Sequence, residues 1–344
     1  MCLTWQRARL FELIDGSNFD SPSYTFATFI PETSRDAYFA IRALNVELAR
    51  IPDVVSNSAV GNLRMQFWRD NITRTFADAP PKEPVAILLH HALTVLRGRN
   101  PAISTHIMKN WFMKIIDARK HYMDDRPYTS MEDLETYAEN TYSTLMYLTL
   151  AFLPMHSVAI DHVASHIGKA TGIAAVLRGV PLIASPPPPN HHSNNTGLTL
   201  SVGKRQGSVV LPLDILAEAG VKQEEVIRLG PEAENMKDAV FKIATRANDH
   251  LITAREMMKN IREGKAIGHD FEHEGEEGHQ HPESKNGAKN DLERAYGVLM
   301  PALSTKMWLE KLEKNDFEIF TDSLLKRHWT LPWYAYWAHK NRTL

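Results

Sequence analysis

Apolar residues in this chain recur every three or four positions and rarely every second one: Tyr38, Ile41, Leu44 and Leu48, then Leu63 and Phe67 after a short break. That period matches the turn of a helix, whereas a half-buried strand needs alternation to gather one apolar face. The pattern predicts an almost wholly α-helical protein. Helix starts are legible at Thr33 or Ser34, ahead of "RDAYFAIRAL", and at Ser130, where Ser130 and Asp133 stand in the relation of a capping box. Pro80, Pro81, Pro84, Pro101 and Pro127 punctuate the first half.

Two segments break the period. Residues 185 to 208, "SPPPPNHHSNNTGLTLSVGKRQGS", join a proline run to polar, glycine-bearing sequence and are expected to form a long loop. Residues 263 to 291, "EGKAIGHDFEHEGEEGHQHPESKNGAKND", hold too few large apolar side chains to offset their ordering entropy, so a disordered insertion is expected there. Neither divides the chain, because the helical segments on both sides share one composition and the last, 292 to 340, is too short to keep its own core. The expectation is a single domain over residues 1–344, with 43% apolar residues to fill it.

Charge and cysteine usage exclude some functions. With 39 Lys and Arg against 41 Asp and Glu, the formal charge is -2, so the chain has no basic field to hold nucleic acid. Cys2, the single cysteine, cannot close an intramolecular disulfide, which fits a reducing compartment. The longest nearly apolar run, Leu145 to Pro154, falls well short of the roughly 20 residues that cross a bilayer as a helix, so no membrane span is expected. The opening "MCLTWQRARLF" carries Arg7 and Arg9 with no acid before Glu12, which is the charge pattern of a transit peptide in a shorter stretch.

Familiar catalytic motifs are missing: the sequence has no Walker or dinucleotide glycine loop, no G-x-S-x-G and no H-E-x-x-H. His269, His273, His279 and His281 lie among acids that could join them on zinc or nickel, but unpaired spacing in a polar loop reads as solvated sequence; His191 and His192 read the same way. Carboxylates four apart, Glu135 with Glu139, Asp214 with Glu218 and Glu234 with Asp238, could share a cation from one helix face and more ordinarily form a solvated stripe. The C-terminal "TLPWYAYWAHKNRTL" would suit a helix at a membrane surface, yet its nearly consecutive aromatics favour packing against the core.

Three stretches resemble the squalene and phytoene synthase superfamily: "AYFAIRALNVELARI", "WFMKIIDARKHYMDDRPYTSMEDLETYAENTYSTLMYLTL", and "HIGKATGIAAVLRGVPLI" with "VVLPLDIL" after the proline loop. The resemblance runs from about Phe26 to Ala338 and implies an all-α isoprenoid synthase-like fold around a central cavity. Active members hold a substrate diphosphate through magnesium on two aspartate-rich motifs, each placed relative to an arginine. Here those arginines correspond to Arg42 and Arg178, so the resemblance puts the first set of acids at Asn45, Val46 and Ala49 and the second at Gly179 and Ile183. None of these five residues is a carboxylate. Asn45 offers one neutral oxygen, and Glu47 lies about 200° around the helix from it.

"RALNVELA" and "RMQFWRDNI" are more specifically similar to the branch of this superfamily that assists assembly of mitochondrial complex I. That branch implies a non-catalytic assembly factor without cofactor or bound metal. It would work in the mitochondrial matrix, with a peripheral inner-membrane contact left open, on complex I subunits or assembly intermediates. Two rival readings stand beside it: a magnesium-dependent prenyl transferase with acids recruited from elsewhere, and a carrier that holds a prenyl lipid in the old cavity, with Arg42, Asn45 and Arg178 as its polar lining.

Overall fold

The computed structural model describes residues 20–55, 57–100, 105–155, 157–184, 207–265 and 285–344. The first half comprises α1 (Ser21–Phe26), α2 (Glu32–Val54), α3 (Ser58–Phe76), α4 (Pro84–Arg99) and α5 (His106–His121). Next come α6 (Met131–Ala138), a π-turn (Glu139–Ser143), α7 (Thr144–Ala151) and the long α8 (Val158–Ala184). The rest is α9 (Leu213–Ala219), α10 (Gln223–Leu229), α11 (Met236–Glu263), α12 (Lys285–Leu299), α13 (Pro301–Lys314), α14 (Asp322–Leu325) and α15 (Leu331–Asn341). No strand occurs among the described residues. The fold is all-α, as the apolar period predicts.

The two helix starts read from sequence differ in outcome. Ser130 caps α6, its Oγ accepting from the Asp133 amide at 3.2 Å. α2 instead begins at Glu32 behind Pro31 with no side-chain cap, because Ser34 is buried and spends its hydroxyl on the Phe152 carbonyl at 2.8 Å. Of the two segments that break the period, most lies outside the described residues, including all six histidines considered above. The expected disordered insertion at 263 to 291 is too wide, since α11 runs through Glu263 and α12 begins at Lys285; at the end of the other segment Ser208 lies in a loop and is fixed by its hydroxyl to the Asp125 carbonyl at 2.7 Å.

α8 is the axis of the molecule. α11 lies along it, and α6, the π-turn, α7, α12 and α13 pack around its other sides, while α2 joins the assembly through α4 and α7. Buried side chains from both halves form one continuous apolar cluster. At 27 residues α8 is also long and apolar enough to cross a membrane, which corrects the reading from apolar runs alone. Its composition has a core explanation: Ile160, Val163, Ile167, Ile173, Leu177 and Val180 are fully enclosed by neighbouring helices.

Small residues on α8 set how closely the next layer approaches. A Cβ built on Gly168 would collide with the Ser143 backbone, and one on Gly172 would come within 2.5 Å of the Ala138 Cβ and 3.0 Å of the Tyr142 ring. These two glycines, one turn apart, let the π-turn sit directly on the helix. π-turns are rare and concentrate at functional sites. This one carries Tyr142.

Candidate functional site

Three arginines from three helices meet around Tyr142. Arg42, on α2, donates through Nε and Nη2 to Asp20 Oδ2 at 3.0 and 2.7 Å. Arg119, on α5, donates to the Tyr137 hydroxyl at 2.7 Å and to Asn45 Oδ1 at 2.9 Å. Its guanidinium also lies over the Tyr137 and Tyr142 rings at 5.6 and 5.5 Å. Arg178, on α8, sits over the Trp308 ring at 5.3 Å and has no hydrogen bond or ion pair to any described residue. The Nε atoms of Arg119 and Arg178 are both buried without an acceptor.

Asp20 and Tyr142 lie within electrostatic reach of both Arg42 and Arg178, so the two arginines named from sequence share one neighbourhood. Burial is the largest single influence on Arg42 and disfavours its charge, but Asp20, Tyr38 and Tyr142 together outweigh it and hold the group above its ordinary value. Arg178 has no such partner, and burial drives it down against the pull of Tyr142 and Asp20. Burial also pushes the Tyr38 phenol up to about 12, with Arg42 opposing. The balance is three guanidinium groups to one carboxylate. Unused donors on buried cations fit an anion, since charge-assisted bonds to guanidinium are among the stronger polar contacts available.

The same geometry tests whether magnesium suits the positions that the resemblance assigns. Asn45 is buried and its one oxygen is already occupied by Arg119. Val46 is buried and apolar, and Ala49 is half-buried. Gly179 and Ile183 lie one turn apart on α8, where a Cβ on Gly179 would meet only the Ile183 Cδ1 at 3.7 Å. A Cβ at Gly179 would fit, but the oxygen donors are absent at these positions and three guanidinium groups lie nearby. A hard divalent ion that needs oxygen ligands does not fit this set.

The carboxylate pairs divide. Glu234 and Asp238 are exposed, as expected. Asp214 Oδ2 accepts from the Met131 amide at 3.1 Å, and Glu218 pairs with Lys242 at 2.8 Å. Glu135 and Glu139 are not a solvated stripe. Glu135 is buried against Arg246, with His250 Nε2 at 3.3 Å, and His250 Nδ1 lies 2.9 Å from His166 Nδ1. Burial raises the Glu135 carboxyl, but His250 and Arg246 together hold it at about 2. Glu139 turns the other way and accepts from the Tyr147 hydroxyl at 2.5 Å and the Ser165 hydroxyl at 2.8 Å. No group of three or more His, Cys, Asp or Glu suited to a metal occurs among the described residues.

Arg119, Tyr142, Asp20 and Trp308 are not marked as site residues by the sequence, and Tyr137 is marked only as part of the family stretch. Arg119 and Tyr142 lie inside the stretches that carry the resemblance, so "DARKH" and "ENTYS" hold the available signal. Nothing in the sequence marks the π-turn that aims Tyr142.

The model of the squalene/phytoene synthase family matches residues 17–334. The protein named NADH dehydrogenase (ubiquinone) complex I, assembly factor 6 from Homo sapiens is 34% identical over 317 residues, covering 92% of this chain and 77% of that protein. Its Bos taurus counterpart is 34% identical over 313 residues, 91% and 76% of the two chains. The Drosophila melanogaster homolog is 26% identical over 320 residues, 93% and 79%. Among solved structures, a ligand-bound dehydrosqualene synthase superposes with a TM-score of 0.69 at 14% identity over 99% of this chain and 97% of the other. A squalene synthase from Alicyclobacillus acidocaldarius gives 0.62 at 12% identity over 92% and 96%. These two structures establish the isoprenoid synthase-like fold and nothing further.

Proposed function

The chain belongs to the squalene/phytoene synthase family, and from that premise we propose that it is a non-catalytic assembly factor for mitochondrial respiratory complex I, acting in the matrix. The observation that carries the reading is the site itself: Asn45, Val46, Ala49, Gly179 and Ile183 stand where the resemblance asks for acids, among Arg42, Arg119 and Arg178. Without a metal clamp the charge that builds on a diphosphate leaving group is poorly stabilised. The names borne by relatives at 34% identity support the same reading. Its partners are complex I subunits or assembly intermediates, met through the outer surface.

The test is removal of the gene followed by native-gel resolution of the respiratory complexes. Mature complex I falls and returns with the wild-type chain. Normal complex I beside a shrinking pool of condensed prenyl product would overturn the reading in favour of a transferase.

One observation supports a second reading, the prenyl-lipid carrier. Arg178 is largely enclosed without a carboxylate, and an anionic head group would supply the acceptor it lacks. Native mass spectrometry of the purified chain separates the two, because a carrier retains a stoichiometric lipid that Arg178→Met releases.

A further inference from the structure

α15 is built inside out. Leu331, Ala335 and Ala338 form the face turned to the core, while the large aromatics point away from it. Trp333 is 68% exposed, Tyr334 57%, Tyr336 53% and Trp337 53%. Trp333 and Trp337 are each two residues from Ala335, about 200° around the helix from it. The expectation that these rings pack against the core is therefore wrong, because alanine suffices for the narrow contact of α15 with α1. Immediately ahead of the helix, Trp329 is 81% and Leu325 47% exposed.

Positive charge predominates on this surface: Lys326, Arg327, Lys340 and Arg342 stand against the exposed Asp322 and the partly exposed Glu293. Arg342 is held by Glu293 at 2.6 Å, and the Lys340 ammonium lies 5.1 Å from the centre of the Trp337 ring. Lys326 and Lys340 are exposed. Water is a poor neighbour for so many clustered rings, and a contiguous apolar patch of this kind marks an interaction site. Tryptophan and tyrosine combine an apolar body with a polar edge, which suits the boundary between acyl chains and head groups. Lysines flanking them suit an anionic surface, toward which a long side chain can reach while its stem covers the rings.

We infer that α15 and the turn before it form a docking surface for an anionic phospholipid bilayer, with Trp333 and Trp337 entering the interface and Lys326 and Lys340 facing the head groups. The helix is 11 residues long, so it lies on the surface and does not span it. The inference stands on exposed side chains and not on the assembly reading.

Flotation of the full chain with vesicles of equal phosphatidylcholine and phosphatidylglycerol tests it. The wild type floats with these vesicles and binds pure phosphatidylcholine more weakly, and raising salt from about 0.1 to about 1 M releases it. The double variant W333A/W337A lowers partitioning by about tenfold or more while circular dichroism and melting stay unchanged. K326E/K340E loses the preference for anionic vesicles. A wild type that stays with the aqueous phase, or a W333A/W337A variant that floats as well as wild type, overturns the inference. A chain that ignores vesicles and is a dimer split by W333A/W337A overturns it too, and assigns the patch to a second copy. Because complex I takes no part in flotation, failure here leaves the assembly reading standing.

Discussion

Arg42 and Arg178 are both enclosed guanidinium groups, yet their removal should move stability in opposite directions. Arg42 neutralises Asp20, whose side chain is only 14% exposed and has no other ion-pair partner among the described residues. Replacing it with methionine leaves that carboxylate stranded, and breaking a buried pair in this way costs about 3 kcal/mol. Arg178 makes no ion pair with a described residue, and Asp20, which acts on it only at longer range, keeps Arg42 as its partner. Its Nε is buried without an acceptor, a loss of about 1–3 kcal/mol, and its contact with Trp308 recovers about 0.5–2 kcal/mol. Arg178→Met keeps the volume and removes the unpaired charge, so it should stabilise the chain by about 1 kcal/mol. Urea titrations of the two variants beside the wild type measure both signs, since a shifted midpoint at constant slope is a pure change in stability. A loss of more than about 1 kcal/mol in Arg178→Met, or a neutral Arg42→Met, would refute the charge balance drawn here.

Gly168→Ala should destabilise by about 2 kcal/mol or more, because its methyl group meets Ser143 backbone, whereas Gly179→Ala on the same helix should stabilise by up to about 1 kcal/mol through helix propensity alone; thermal melts separate them. Glu135 is held at about 2 against an ordinary 4.5, so its ionised form adds stability that is fully present above pH 4.5 and is lost as pH falls toward 2. The stability gap between the wild type and Glu135→Gln, about 3 kcal/mol at neutral pH, should close over that window in denaturant titrations.

Helical period alone gives the all-α class, because an apolar stripe every three or four residues is one face of a helix, while the isoprenoid synthase-like architecture came from the family resemblance. Ser130 is readable because a cap needs only local chemistry. What the period cannot show is where a helix departs from its own geometry, as at the π-turn that carries Tyr142. Glu135 and Glu139 do lie one α-helical turn apart, the Glu139 amide bonding the Glu135 carbonyl, but only tertiary packing gives one to Arg246 and His250 and the other to Tyr147 and Ser165. Arg42 and Arg178 share a neighbourhood only through long-range packing, so no local pattern could have joined them; the family resemblance supplied that link. Arg119 looks like an ordinary cation near a helix C-terminus until Asn45 and Tyr137 are seen to hold it. The aromatics of α15 mislead for a plainer reason. Large apolar rings are usually inside, and here alanines occupy the inner face.

The site gathers arginines and lacks the acids that would hold magnesium. Pyrophosphate release by the purified chain, supplied with Mg²⁺ and farnesyl diphosphate, tests this most directly. No release above background and no condensed product are expected. Steady release abolished by EDTA would contradict this expectation.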